Sequence, residues 1–191
     1  MPPRMSVPDD FTALVRSRRT SMIVDKQREV PLEVVRELCA LASWAPNHKK
    51  TWPWRFALFS GDGRARLGET MTADMVAIGF GDEVKRDKTR VKYLRTPATL
   101  VVGCTPHDNE TLHLENRDTV AAGIQNMLLG GTAIGLATFW STPALLQPPQ
   151  VLELCGFDAQ DRIIGIIYLG WATAECATPE RPDVPITHIT N

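Results

Sequence analysis

Cysteine is sparse in this chain, and charge of either sign is balanced. Four cysteines, Cys39, Cys104, Cys155 and Cys176, are scattered over 191 residues and no two form a Cys-x-x-Cys pair. That spacing excludes the common zinc and thioredoxin-like arrangements and suits reduced thiols in a cytoplasm. Cys104 and His107 are spaced Cys-x-x-His with His113 beyond, but no second pair follows, so no metal site is expected. With 21 basic against 22 acidic residues there is no positive excess to draw the chain to nucleic acid or an anionic membrane. A Gly-x-Ser-x-Gly elbow, a P-loop and a His-Glu-x-x-His helix are all missing, which leaves no dedicated nucleophile, phosphate loop or zinc protease. The first ten residues hold Pro2, Pro3, Arg4 and two acids without an apolar core, so they read as a flexible leader (1–10) and not a secretory signal.

One long stretch lacks charge altogether. From Thr119 to Leu152 no Asp, Glu, Lys or Arg occurs, and Val120 to Trp140 alone could span a bilayer by length. Gln125, Asn126, Thr132 and four glycines argue against that, as do the acids just before the stretch where a membrane helix would carry Lys or Arg. A buried helix followed by a strand at Ala137–Trp140 is the better reading. A helix that is apolar nearly all round must be covered on every side. Gly123, Gly130, Gly131 and Gly135 would admit neighbouring backbones, and the cover would come either in part from a second subunit or wholly from a monomeric core.

Around this helix the remaining pattern predicts helices from Phe11 to Arg18, with Asp9 and Asp10 as caps, and from Pro31 to Trp44. A strand is expected over Trp54–Phe59, then a polar helical region to about Arg95 with breaks at Gly79 and Gly81, and a buried strand over Thr99–Cys104. Pro148 and Pro149 introduce a short helix that stops at Gly156. The continuous apolar run Ile163–Trp171 predicts a central strand covered on both faces. Helices and strands do not alternate regularly, so the expected class is α+β: a small mixed or antiparallel sheet flanked by helices, in one domain over 11–191 with a long buried central helix.

Two polar clusters could bind a ligand. Arg16, Arg18, Arg19 and Thr20 gather guanidinium forks and a hydroxyl where a helix ends, a set suited to a phosphate dianion and equally to a solvated helix terminus. Ala45-Pro46-Asn47-His48-Lys49-Lys50 precedes the aromatic strand Trp52-Pro53-Trp54-Arg55-Phe56 and would present polar side chains from a loop. In this order and spacing the clusters resemble the FMN-dependent nitroreductase family, in its short and little-elaborated subgroup. Ser17-Arg18-Arg19-Thr20-Ser21 is similar to the family's phosphate-binding opening, and Ala45 to Phe56 to its next signature. Gly135-Leu136-Ala137-Thr138-Phe139-Trp140-Ser141 and Ile164 to Gly170 resemble two later hallmarks.

The resemblance implies a homodimer with two FMN sites at the interface, each built from both chains. It assigns Arg18, Arg19 and Thr20 to the phosphate and ribityl end and His48 to a flavin contact from its loop. Trp140, Ser141 and Thr142 would line the ring, although a packed core indole remains an equal reading of Trp140. NADH or NADPH would supply hydride, and an electron-poor nitroaromatic or quinone would accept it, with no protein acid or base needed and no membrane or nucleic acid involved. Other FMN chemistry (ene reduction, dehalogenation, flavin fragmentation) and a flavin-binding protein with little turnover are the alternatives. Trp44 stands where short members tend to carry Arg, and Arg181 aligns only loosely with a late phosphate-binding Arg.

Overall fold

The computed structural model describes residues 7–190; residues 1–6 of the expected leader and Asn191 lie outside the described residues. Helix α1 (Asp9–Ser17) starts earlier than the pattern suggested. Asp9 and Asp10 lie inside its first turn, where their charge opposes the positive end of the helix, and do not act as side-chain caps. Helix α2 (Leu32–Ala42) begins after Pro31 and buries Val35, Leu38 and Ala42 on one stripe. A turn of 3-10 helix at His48–Lys50 leads to β1 (Trp54–Ser60). Then come α3 (Gly63–Ala77), α4 (Glu83–Lys92), β2 (Ala98–Cys104), α5 (Glu110–Ala133), β3 (Leu136–Ser141), α6 (Pro149–Cys155) and β4 (Arg162–Trp171). Gly79 and Gly81, both at positive φ, make the break between α3 and α4.

The four strands form one sheet in the order β1-β2-β4-β3, every pair antiparallel. The two middle strands explain the continuous apolar runs. Leu100 and Val102 of β2 and Ile167 and Leu169 of β4 face a core shared with α2 and α5. Val101, Ile166 and Tyr168 face the opposite core, under α3, α6 and the turn at Tyr93. Alternate side chains therefore enter different layers, and both faces are dry. The result is an α+β sandwich of helix, sheet and helix.

Two segments tie the edges. Thr20 pairs in parallel with Thr138 on edge strand β3, and Ser21 N–H donates to the Thr138 carbonyl at 3.1 Å. Val24 bridges to Ala172, Asp25 N–H donates to the Trp171 carbonyl, and the Arg28 guanidinium lies 4.1 Å from the Trp171 ring centroid. The chain after Ala172 runs on without helix or strand.

Within a single chain only one side of helix α5 is covered. Asn116, Thr119, Val120, Gly123, Ile124, Met127, Leu128 and Gly131 are buried, while Ala122, Gln125 and Ala133 are exposed and Ala121, Leu129 and Thr132 half-buried. Gly123 does what was expected of it, since a Cβ there would lie 2.8 Å from the Ala42 carbonyl oxygen of α2. Gly135 does not; it has φ +83° with open space around it and makes the turn into β3. Among the described residues no helix is long and apolar enough to cross a membrane.

Candidate active site

The loop after α2 is the most constrained irregular segment of the chain. Lys49, Lys50 and Trp52 all have positive φ (58°, 54° and 50°) without being glycine, a conformation that costs each residue roughly 1 kcal/mol or more and persists only when neighbours enforce it. A polar network on α5 does so. Asn47 donates to the Thr51 hydroxyl at 2.8 Å and accepts from Trp52 N–H at 3.0 Å; Thr51 in turn donates to Asn116 at 2.5 Å. Asn116 reaches the Thr105 carbonyl at 3.1 Å, and Thr119 donates to the Pro46 carbonyl at 3.0 Å. So clamped, the loop presents His48, whose Nδ1 lies 2.7 Å from the Glu115 carboxylate. That contact directs Nδ1–H to Glu115 and leaves Nε2 for another partner.

The basic turn after α1 divides its arginines. Arg19 donates from Nε to the Ala177 carbonyl (3.1 Å) and from one terminal nitrogen to the carbonyls of Arg16 (2.6 Å) and Arg18 (2.8 Å). It lines a cleft of about 330 Å³ with Ser17, Ser21, Thr132, Cys176 and Thr178. Arg18 is half-buried and Thr20 exposed; neither lines that cleft, and the Arg18 guanidinium has no hydrogen-bond partner among the described residues.

At the far end of β3, Trp140 lies against Gly165 of the neighbouring strand, so closely that a Cβ at 165 would overlap the indole nitrogen. The ring thus occupies the space that a side chain at 165 would take and keeps 37% of its surface exposed. With Thr142 it lines a second cleft, of about 410 Å³, whose other walls include His113, Arg117 and Asp118 of α5 and Arg162 of β4. Ser141 lies between them, its hydroxyl 3.4 Å from the Thr142 carbonyl.

β3 thus brings two of the expected groups together. Thr20 sits beside Thr138, and Ser141 is three residues further on, about 10 Å along an extended strand. His48 stands apart. Its loop packs on Glu115, Asn116 and Thr119, whereas the Trp140 cleft uses His113, Arg117 and Ala121. At 100° per residue these are opposite faces of α5, a helix about 10 Å across. Trp44, with 83% exposure, and Arg181, in the exposed tail, touch none of these groups.

Glu115, Asn116, Arg117 and Arg162 were not singled out from sequence. Only the polar start of an otherwise uncharged helix hinted at the first three. Glu115 and Asn116 meet His48 and Thr51 across 67 and 65 residues of chain, and Arg117 and Arg162 meet only in the cleft.

Three of the four thiols are buried or half-buried and unreactive. Burial pushes Cys39 up to about 11 and Cys104 and Cys155 up to about 12. At neutral pH they stay protonated and unreactive.

With the geometry in place, known proteins can be compared. The model of the Nitroreductase family matches residues 15–171. The chain belongs to the nitroreductase family. A Bacillus subtilis relative, YfhC, named as an NAD(P)H nitroreductase, is 30% identical over 83% of this chain and 82% of its own. Human iodotyrosine deiodinase 1 is 22% identical over 94% of this chain and 67% of its own. Among solved structures, a nitroreductase-like family protein from Bacillus cereus superposes with a TM-score of 0.79 at 25% identity, covering 94% of this chain and 95% of that one. An FMN-bound nitroreductase from Bacteroides fragilis gives 0.68 at 18% identity, with coverage of 96% and 98%, and shares the fold.

Proposed function

We propose that this chain is an FMN-dependent oxidoreductase, working as a homodimer, that takes hydride from NADH or NADPH and passes it to an electron-poor acceptor such as a nitroaromatic or quinone. The observation that carries the reading is the layout along β3 in a chain of this family. A basic turn with an unengaged guanidinium lies beside Thr138, and the exposed indole of Trp140 lies two residues, about 7 Å, further along the strand. That layout fits a molecule with a phosphate at one end and a planar ring at the other.

FMN, when bound, supplies the two-electron carrier between nicotinamide and acceptor. The chain's own residues hold and shield it. Arg18 and Thr20 offer a guanidinium fork and a hydroxyl to the phosphate, and Arg19, already spent on three carbonyls, holds the turn and tail in shape and keeps only its remaining N–H pair for the anion. Trp140, Ser141 and Thr142 border the ring, the indole excluding water from one edge. His48 reaches the ring from the other protomer.

The same geometry supports the homodimer reading. The open stripe Ala121, Ala122, Gln125, Leu129 and Ala133 runs along α5 between the face that carries the His48 loop and the face that carries the Trp140 cleft. Two copies packed across that stripe about a two-fold axis set the loop of one against the cleft of the other. Neither site is complete without its partner.

Purified protein tests the reading directly. A flavin-type visible spectrum, released cofactor identified as FMN, and bleaching on anaerobic addition of NADH or NADPH are the expected results. A colourless protein that fails to bind added FMN overturns it. The similarity to iodotyrosine deiodinases over nearly the whole chain favours one second reading, reductive dehalogenation on the same scaffold. Iodide release from an iodophenol at a rate exceeding nitroaromatic reduction would select it.

A further inference from the structure

The cleft beside Trp140 holds charges that the cofactor reading leaves unused. Arg117 comes from α5 and Arg162 from the first position of β4, and both line it. Among the described residues neither is in an ion pair. The buried acid next to Arg162 in sequence, Asp161, uses one oxygen to accept from Asp158 N–H at 3.0 Å and lies 3.6 Å from Arg55 Nε, while its other oxygen has no hydrogen-bond partner among the described residues. One carboxylate, Asp118, faces the same cleft, so two guanidiniums meet one acid and the cleft keeps a net positive charge. His113, also on the wall, accepts from His107 N–H through Nδ1 at 3.5 Å, which leaves its ring hydrogen on Nε2 as a further donor. On the buried Cys104 thiol, which also lines the cleft, burial and Asp161 act upward, and Arg55, Arg117 and Arg162 oppose them. Apart from Thr142, the rest of the lining is largely apolar and includes the Trp140 indole, Leu146, Ile163 and Ile164.

We propose that the part of this cleft walled by Arg117 and Arg162 is the acceptor subsite, next to the place assigned to the flavin ring, and that it selects planar aromatic acceptors carrying a carboxylate, held by the two guanidiniums. A volume of about 410 Å³ falls in the range of small-ligand sites and suits a single-ring molecule. Guanidinium forks match a carboxylate in geometry and charge, and a neutral amide of the same shape cannot replace it. The proposal rests on the oxidoreductase reading for the word acceptor, and the binding itself does not.

The test is a calorimetric titration of the protein as purified with 4-nitrobenzoate and with 4-nitrobenzamide, the visible spectrum of the same sample reporting separately on FMN. The expected result is binding of the carboxylate about tenfold tighter than the amide, a gap that narrows with added salt. In Arg117→Gln or Arg162→Gln the gap shrinks, and in the double variant it disappears. Equal affinity for the two compounds in the unaltered protein overturns the proposal without any variant having to fold, as does binding of neither. A gap that survives in the double variant also overturns it. So does a loss of NADPH affinity in the variants with the gap intact, which assigns the arginines to the dinucleotide phosphates. A sample without flavin that still shows the gap removes the oxidoreductase reading and keeps the anion site.

Discussion

At the scale of single residues, neighbouring side chains of one type divide the work. Arg18 and Arg19 look interchangeable in the sequence, and the resemblance assigned both to a phosphate. In the fold Arg19 is tied to the carbonyls of Arg16, Arg18 and Ala177, and Arg18 is not tied at all. Arg18→Ala should therefore lower FMN retention by tenfold or more, roughly the worth of one charge-assisted contact, with little change in melting temperature. Arg19→Ala should do less to retention and lower the melting temperature by a few degrees, because it frees three carbonyls and the tail. Flavin content after gel filtration and a thermal melt read the two effects, and equal loss of flavin would place Arg19 on the phosphate as well. Trp140 teaches the same lesson. Its type and position were legible, but whether it packs or contacts a ligand was not, since that depends on Gly165 across the strand pair, which clears a bed for the ring.

At the scale of elements, the parts set by local pattern were legible and the parts set by distant partners were not. The strands, the long helix and its uncharged stretch, the Gly79 and Gly81 break and the stop at Gly156 all come from periodicity or from glycine, and the structure has each within a few residues. The covering of β2 and β4 on both faces was also readable for β4, from a run too apolar to face water. Helix α6 shows what was not. It is seven residues long, its cap position is Pro148, and no side chain of its own caps it. Its first N–H groups are met instead by Asp74 of α3, which is 2% exposed and accepts from Val151 N–H at 3.0 Å and Gln150 N–H at 3.2 Å. A cap supplied from 76 residues away leaves no local signal. Asp74→Ala should cost about 2 kcal/mol, the penalty of unmet buried donors at a helix start, and lower the melting temperature by about 4–8 °C. A melt within 1 °C of the parent would mean that water serves α6 as well as Asp74 does. The clamp of Asn47, Thr51 and Asn116 on the His48 loop escaped the sequence for the same reason.

At the scale of the whole molecule, stability and assembly each make a claim that can be measured. Three thiols are held by burial well above their ordinary value near 9, Cys39 to about 11 and Cys104 and Cys155 to about 12, and burial raises Tyr168 to about 12 as well. Between those limits the unfolded chain loses protons that the folded chain keeps, so stability is full below about pH 9 and falls as pH rises toward 12. Urea midpoints should decline over pH 9–11 and do so less steeply when the three cysteines are replaced by alanine; an unchanged slope would assign the decline to the tyrosines. The proposed assembly turns on α5, whose open stripe is uncharged while each end of the proposed site lies on a different side of it. Ala122 is exposed at the middle of that stripe, where an added side chain meets no part of its own chain's core. Ala122→Arg should leave the fold and its melting behaviour close to the parent's, yet place two like charges near the two-fold axis of a dimer. The expected outcome is a monomer by light scattering that has also lost FMN, because the His48 loop no longer reaches the Trp140 cleft. A monomer that keeps its flavin would show that one chain completes the site alone, and a stable dimer would move the interface off α5.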